Sequence, residues 1–177
     1  MGRDKADLVV AGERLADRAA RVLSAVCDPA LEVGPGRSRL RAVPDDSPFG
    51  GPLAALVTGA TALRAEGNDG PVLLLAVDLP FVTPSLLELL ARHPSAATVA
   101  PIAAGVRQSC CARYSPDSLD LAADLVERGE RALHSLLAAV PVVDIPEPEW
   151  RTVAPADALA DLDTPEDLDR HGLGGRR

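Results

Sequence analysis

A chain of 177 residues, 47% of them apolar, has the length and core material for one compact domain, but only 2% are aromatic, so Ala, Leu and Val must build the core. A formal net charge of −8 argues against binding a nucleic-acid backbone through bulk electrostatics, while leaving room for a local phosphate site. No apolar run approaches the roughly 18 residues that span a bilayer, and the charged start Gly2-Arg3-Asp4-Lys5 is not a signal peptide, so the expectation is a cytoplasmic protein with neither membrane nor nucleic-acid partner.

Taken in order, the chain begins abruptly: Gly2 to Ala6 has no strand before it. Gly12-Glu13-Arg14-Leu15 then leads into a helix with Leu15, Ala19, Val22, Leu23 and Val26 on one face. Ala30 to Val33 reads as a short strand closed by Gly34-Pro35-Gly36, and Leu40 to Pro44 as an edge-type segment. The turn-rich stretch Asp45 to Gly51 opens a helix with Pro52 at its first position and Leu53, Leu56, Val57, Ala60 and Leu63 facing the core. Thr83-Pro84 caps a helix over 85–92, and Ala97 to Ile102 returns as a strand. Further on, Gln108 to Tyr114 reads as a strand, Ser115-Pro116 caps a helix, Arg131 to Val140 forms another, and Pro141 to Ile145 is a strand followed by a Pro-rich loop over 146–148. Strands alternating with helices indicate an α/β fold with right-handed crossovers. The expected organisation is one domain over 1–171 and a basic tail over 172–177. Cys27 and the adjacent Cys110-Cys111 form neither a disulfide framework nor a zinc pattern, and are expected as small buried apolar residues.

The centre of the sequence is Pro71 to Pro80. Six consecutive apolar residues, Val72 to Val77, suit a strand buried on both faces, and Asp78 follows at its carboxyl end. Open α/β sheets bind ligands just beyond that end, where a carboxylate could hold Mg²⁺ against phosphates. Taken alone, Asp-x-Pro better suits a residue that only opens the turn into the next helix.

Four segments together resemble the molybdenum cofactor guanylyltransferase family. Met1 to Ala6 looks like the end of its glycine-rich nucleotide loop, and Asp46 with Gly51-Pro52-Leu53-Ala54 like its second loop. Val77 to Phe81 is similar to its metal-binding strand end, and Asp161 to Leu168 to its C-terminal signature. The resemblance implies a mostly parallel sheet flanked by helices, a Rossmann-like nucleotidyltransferase domain of the glycosyltransferase-A-like kind. It implies an enzyme that uses Mg²⁺ to transfer GMP from GTP to the terminal phosphate of a molybdenum-bound pterin, releasing pyrophosphate. Relatives that use CTP, or that bind nucleotide without turnover, are the alternatives. It assigns Lys5 to the phosphates, Asp78 to the metal and Asp46 to the nucleotide, and puts Gly34 near the guanosine. Asp161 and Asp163 stand near the pterin, where the family commonly has asparagines; Gln108-Ser109 replaces a common His-Pro pair. Proteins that deliver the pterin are the implied partners. The family begins with a buried strand and a glycine-rich turn ahead of the position of Met1, so either the reading frame upstream is expected to encode them or the chain is a truncated relative with an exposed sheet edge and an incomplete nucleotide site.

Overall fold

In a computed structural model, residues 5–45 and 50–162 are described. The chain starts with a 3₁₀ turn, Lys5–Asp7, and a two-residue hairpin, β1 (Val9–Val10) with β2 (Glu13–Arg14), turned by Ala11 and Gly12 at positive φ. The hairpin was not legible in a start read as strandless. Helix α1 (Leu15–Ser24) buries Leu15, Ala16, Ala20 and Val22, close to the expected face. Strands β3 (Leu31–Val33) and β4 (Arg41–Val43) pair in parallel as a separate two-stranded sheet.

Helix α2 (Gly51–Arg64) leads to β5 (Val72–Leu75), α3 (Pro84–Ala91), β6 (Thr98–Ala103), β7 (Val106–Arg107) and β8 (Cys111–Tyr114). Then come α4 (Pro116–Glu127), α5 (Leu133–Ala139), β9 (Val142–Ile145) and a short helix, α6 (Glu147–Trp150), where a Pro-rich loop was expected. Pro146 and Pro148 there set φ values that suit a first helical turn, which is why proline failed as a breaker. The expected caps form: Thr83 Oγ1 accepts from Leu86 N at 3.3 Å and Ser115 Oγ from Ser118 N at 3.3 Å.

Strands β5 to β9 make a five-stranded sheet. Strand β8 lies between β5 and β6 and runs antiparallel to both, so β5 and β6 run the same way; β9 is parallel to β6. The expected α/β class holds: β5, β6 and β9 run the same way, with β8 and the two-residue β7 antiparallel among them. The cause is local: β7 turns back on β6 through Ala104 and Gly105, both at positive φ, and the chain re-enters the sheet as β8 reversed in direction. Two apolar layers cover the sheet. One gathers Val22, Leu86, Leu87, Leu90, Val99 and Trp150; the other gathers Leu53, Leu56, Ala112, Tyr114, Leu119 and Leu136. Among the described residues no helix is long and apolar enough to cross a membrane.

Candidate active site

Strand β5 stops at Leu75, two residues short of the expected Val77, because the chain enters a turn at Val77-Asp78. One further ladder bond, Ala76 N to Cys110 O at 2.8 Å, ties the exit of β5 to the entry of β8. Asp78 therefore stands three residues beyond the strand, in a turn braced from two sides. The Arg18 guanidinium on α1 donates through Nε to the Pro80 carbonyl. Leu162, buried against Val10 and Leu15, donates its N–H to the Asp78 carbonyl at 3.0 Å.

That arrangement brings three of the residues singled out in the sequence to one place. Lys5 Nζ meets Asp78 Oδ2 at 3.2 Å across 73 residues of sequence, with each side chain about a third exposed (33% and 29%). Anchoring of Leu162 puts Asp161 at the same strand end. Both carboxylates act on one neighbour: burial pushes the Cys110 thiol above its usual range, and the charges of Asp78 and Asp161 push it further, against an opposing hydrogen bond from Ser109. A cluster of one ammonium and two carboxylates at a sheet's carboxyl end, open to solvent, suits phosphate and metal chemistry.

The expectations for Asp46 and Asp163 lie outside the described residues. Gly34 lies at the mouth of a loop organised by Glu32, whose carboxylate accepts from Arg37 N at 2.7 Å, Ser38 N at 2.8 Å and Ser38 Oγ at 2.7 Å. Burial would raise the Glu32 carboxyl, but those hydrogen bonds outweigh it and hold it below the usual carboxylate value. Sequence reasoning missed Glu32; an acidic strand residue just ahead of Gly-Pro-Gly-Arg-Ser, with its run of amide donors, was the available signal. Gln108 donates to the Val106 carbonyl at 3.1 Å and is engaged inside its own hairpin. Of the cysteines only Cys111 is fully buried; Cys27 and Cys110 are half-buried, which corrects the expectation for two of the three.

Gly51, part of the second loop of the resemblance, has a packing role. Its φ is +74°, and a Cβ there would sit 2.8 Å from the Arg131 carbonyl oxygen, which also accepts from Leu53 N at 3.1 Å. The glycine lets the start of α2 close on the chain ahead of α5.

Between β3 and β5 lies a cavity of about 840 Å³, lined by Leu31 and Val33 on one side and Leu73 and Leu75 on the other, with Ala20 and Leu56 from the helices above and below. All four β5 residues are only half-buried in consequence.

Residues 1–143 match the sequence model of the MobA-like NTP transferase domain. The chain belongs to that family. It is 34% identical over 185 residues to a protein of Opitutus terrae named "Probable molybdenum cofactor guanylyltransferase", covering 96% of this chain and 87% of the relative. A protein of the same name from Chloroflexus aggregans is 30% identical over 181 residues, covering 94% and 85%. Among solved structures, molybdopterin-guanine dinucleotide biosynthesis protein A of Archaeoglobus fulgidus superposes with a TM-score of 0.71 over 96% of this chain and 89% of its own, at 20% identity, which supports the fold. As a member of the MobA-like family the chain is a nucleotidyltransferase with the Rossmann-like architecture of that class.

Proposed function

We propose that this protein transfers GMP from GTP to the terminal phosphate of a molybdenum-bound pterin and releases pyrophosphate. The observation that carries the reading is the meeting of Lys5, Asp78 and the returning segment Asp161-Leu162 at one strand end. The names of its relatives supply the guanylyl donor and the molybdenum acceptor.

In this reading an acceptor phosphate oxygen attacks the α-phosphorus of GTP, the bond to the bridging oxygen breaks, and pyrophosphate leaves with the electron pair. Such a displacement needs positioning and charge neutralisation more than a protein base. Lys5 presents a point charge to the phosphates, where negative charge gathers on the leaving group. Asp46 contacts the nucleotide from the loop ahead of α2, and Asp161 and Asp163 face the pterin.

A divalent cation fits the donor set. Asp78 offers hard carboxylate oxygens, and Mg²⁺ is commonly held by one or two carboxylates together with substrate phosphates and water. Substrate phosphates and water would complete the coordination that Asp78 begins. When bound, Mg²⁺ offsets the charge of the phosphates that must approach one another. Proteins that hand over the pterin are the expected partners, and the cytoplasm the expected compartment.

The test is a competition of GTP with CTP at equal concentration, with Mg²⁺ and molybdenum-pterin acceptor, read by product mass. GTP should win by more than about tenfold in kcat/KM, a gap of about 1.4 kcal/mol that one hydrogen-bond pair to guanine can supply. A mainly cytidylylated product moves the assignment to a cytidylyltransferase, and nucleotide binding without any product moves it to an inert relative.

A further inference from the structure

We infer that Arg18 is the positioning residue of the metal-nucleotide site: from α1 it fixes the backbone of the turn that carries Asp78, and it acts on the site only through that turn. The inference rests on the reading of Asp78 as the metal ligand.

The turn offers three successive carbonyls, and each has a donor of different origin. Leu162 N holds the Asp78 carbonyl at 3.0 Å, and Val82 N closes the turn on the Leu79 carbonyl at 3.4 Å. The Pro80 carbonyl takes the Arg18 Nε–H. Proline has no N–H, so that carbonyl is the one backbone group through which Pro80 can be held by a hydrogen bond. Of these three donors only Arg18 is a side chain.

Arg18 is itself held in place. It borders the same narrow gap as Leu79, Pro80 and Val82, all three of them buried. Its Nη1 stands 3.7 Å from Glu13 Oε2, and Arg21 clamps that carboxylate through Nε at 2.9 Å and Nη2 at 2.8 Å. Arg18 and Arg21 lie three positions apart on α1 and so share a face, with Glu13 of β2 as the anchor for both.

The turn needs this support because nothing else there is strong. Strand β5 ends at Leu75, and the Ala76 N to Cys110 O bond is the last rung before the turn. The Lys5–Asp78 pair, with each side chain about a third exposed, is too solvated to hold a backbone. Yet a carboxylate that shares a cation with phosphates must be placed to within a fraction of an ångström. Without Arg18 the turn samples other arrangements. If the competent one falls to about a tenth of the population, the metal-nucleotide complex binds about tenfold more weakly, and saturating metal reselects that arrangement and restores turnover.

The experiment compares wild type, Arg18→Met and Arg18→Lys, with circular dichroism as the check on folding. Titration calorimetry with Mn²⁺·GTP, and with GTP in chelator, is done without acceptor. Arg18→Met should bind Mn²⁺·GTP about tenfold more weakly and metal-free GTP equally well. Its half-saturating Mg²⁺ should rise by a similar factor, with kcat at saturating Mg²⁺ within about threefold of wild type, and the Leu162 amide should exchange about tenfold faster. Arg18→Lys keeps a cationic donor and should recover most of the affinity. Should Arg18→Met not fold, Glu13→Gln, which loosens Arg18 without removing it, should shift Mn²⁺·GTP affinity the same way by about threefold. Unchanged Mn²⁺·GTP affinity, an equal loss with and without metal, or a fall in kcat that saturating Mg²⁺ does not restore overturns the inference. A wild type that binds Mn²⁺·GTP but makes no guanylylated pterin ends the transfer reading and leaves the role of Arg18 standing; equal Mn²⁺·GTP affinity in wild type and Arg18→Met does the reverse.

Discussion

Strand β5 consists of four aliphatic residues and every one is half-buried, whereas β8, paired with it along its whole length, carries Arg113 and is buried at all four positions. Residue type predicts the opposite ranking. What separates them is the number of neighbours: among the described residues β8 has strands on both sides, while β5 has one strand and the cavity. Among the described residues the second half of the molecule also pairs its buried polar side-chain atoms, Arg113 Nε excepted. Thr98, Ser115 and Ser118 hydroxyls bond one another, at 2.8 Å for Thr98 with Ser118 and for Ser115 with Ser118. Trp150 Nε1 donates to the Ile102 carbonyl at 2.8 Å. Arg113 donates to the carbonyls of Ala91, His93, Ser95 and Ala97 and so ties the whole connection from α3 to β6. The contrast sets a half whose central strand is paired on both sides against one that borders a cavity, with Lys5 and Asp78 at their junction.

The largest break in that contrast should come at the junction. Asp78→Asn keeps the shape of the side chain but removes the charge opposite Lys5, and turnover should fall by at least about a hundredfold while the fold survives. Lys5→Ala should lose less. Steady-state assays in a form of the protein that turns over, alongside circular dichroism, decide this; normal activity and normal Mg²⁺ dependence in Asp78→Asn would end the metal-site reading.

The next effect belongs to the half built around β8. Arg113→Met should cost about 3 kcal/mol, because the four carbonyls stay buried after their donor is gone. That corresponds to a fall in Tm of about 9 °C. The Arg113 Nε lacks a partner and burial holds the guanidinium below its ordinary pKa, while its terminal nitrogens make the bonds to the four carbonyls. A melt unchanged within 2 °C, roughly the effect of a neutral surface change, would show that the clamp contributes little.

The smallest effect sharpens the comparison by pH. Burial, with a smaller push from Cys110, raises the Cys111 thiol from 9.0 to about 12, and burial raises the Tyr114 hydroxyl as well. A raised folded pKa means that the unfolded chain loses its proton first. Stability is then fully present below pH 9 and declines as pH climbs toward 12. Urea titrations at pH 8 and pH 10.5 should show the loss, and Cys111→Ala should reduce it by about 1–2 kcal/mol. Half-buried Cys27 and Cys110 should react with a thiol reagent well before Cys111.

How far the sequence could be read follows the same division. Periodicity and caps located α1 to α5 because those signals are local: Thr83, Ser115 and Pro52 act within one turn. The direction of β8 was not legible, since it depends on a hairpin at Ala104-Gly105 and on pairing with β5 about 40 positions away. At the site, Lys5, Asp78 and Asp161 were singled out from the pattern of motifs. Their convergence depends on Leu162 packing against Val10 and Leu15, a contact between the chain's two ends that no window of sequence contains. Glu32 was passed over because a carboxylate that binds backbone amides carries no signature in its own residue type.

Gly51 bears on how relatives of this protein should be sorted into working enzymes and retired ones. Its positive φ and the 2.8 Å approach to the Arg131 carbonyl would select for glycine even in a lineage that had stopped making product. Retention of the Gly-Pro-Leu-Ala stretch therefore certifies folding, and a census of active members should score the Lys5 and Asp78 positions instead, where solvent-facing charges have no comparable reason to persist once turnover is gone.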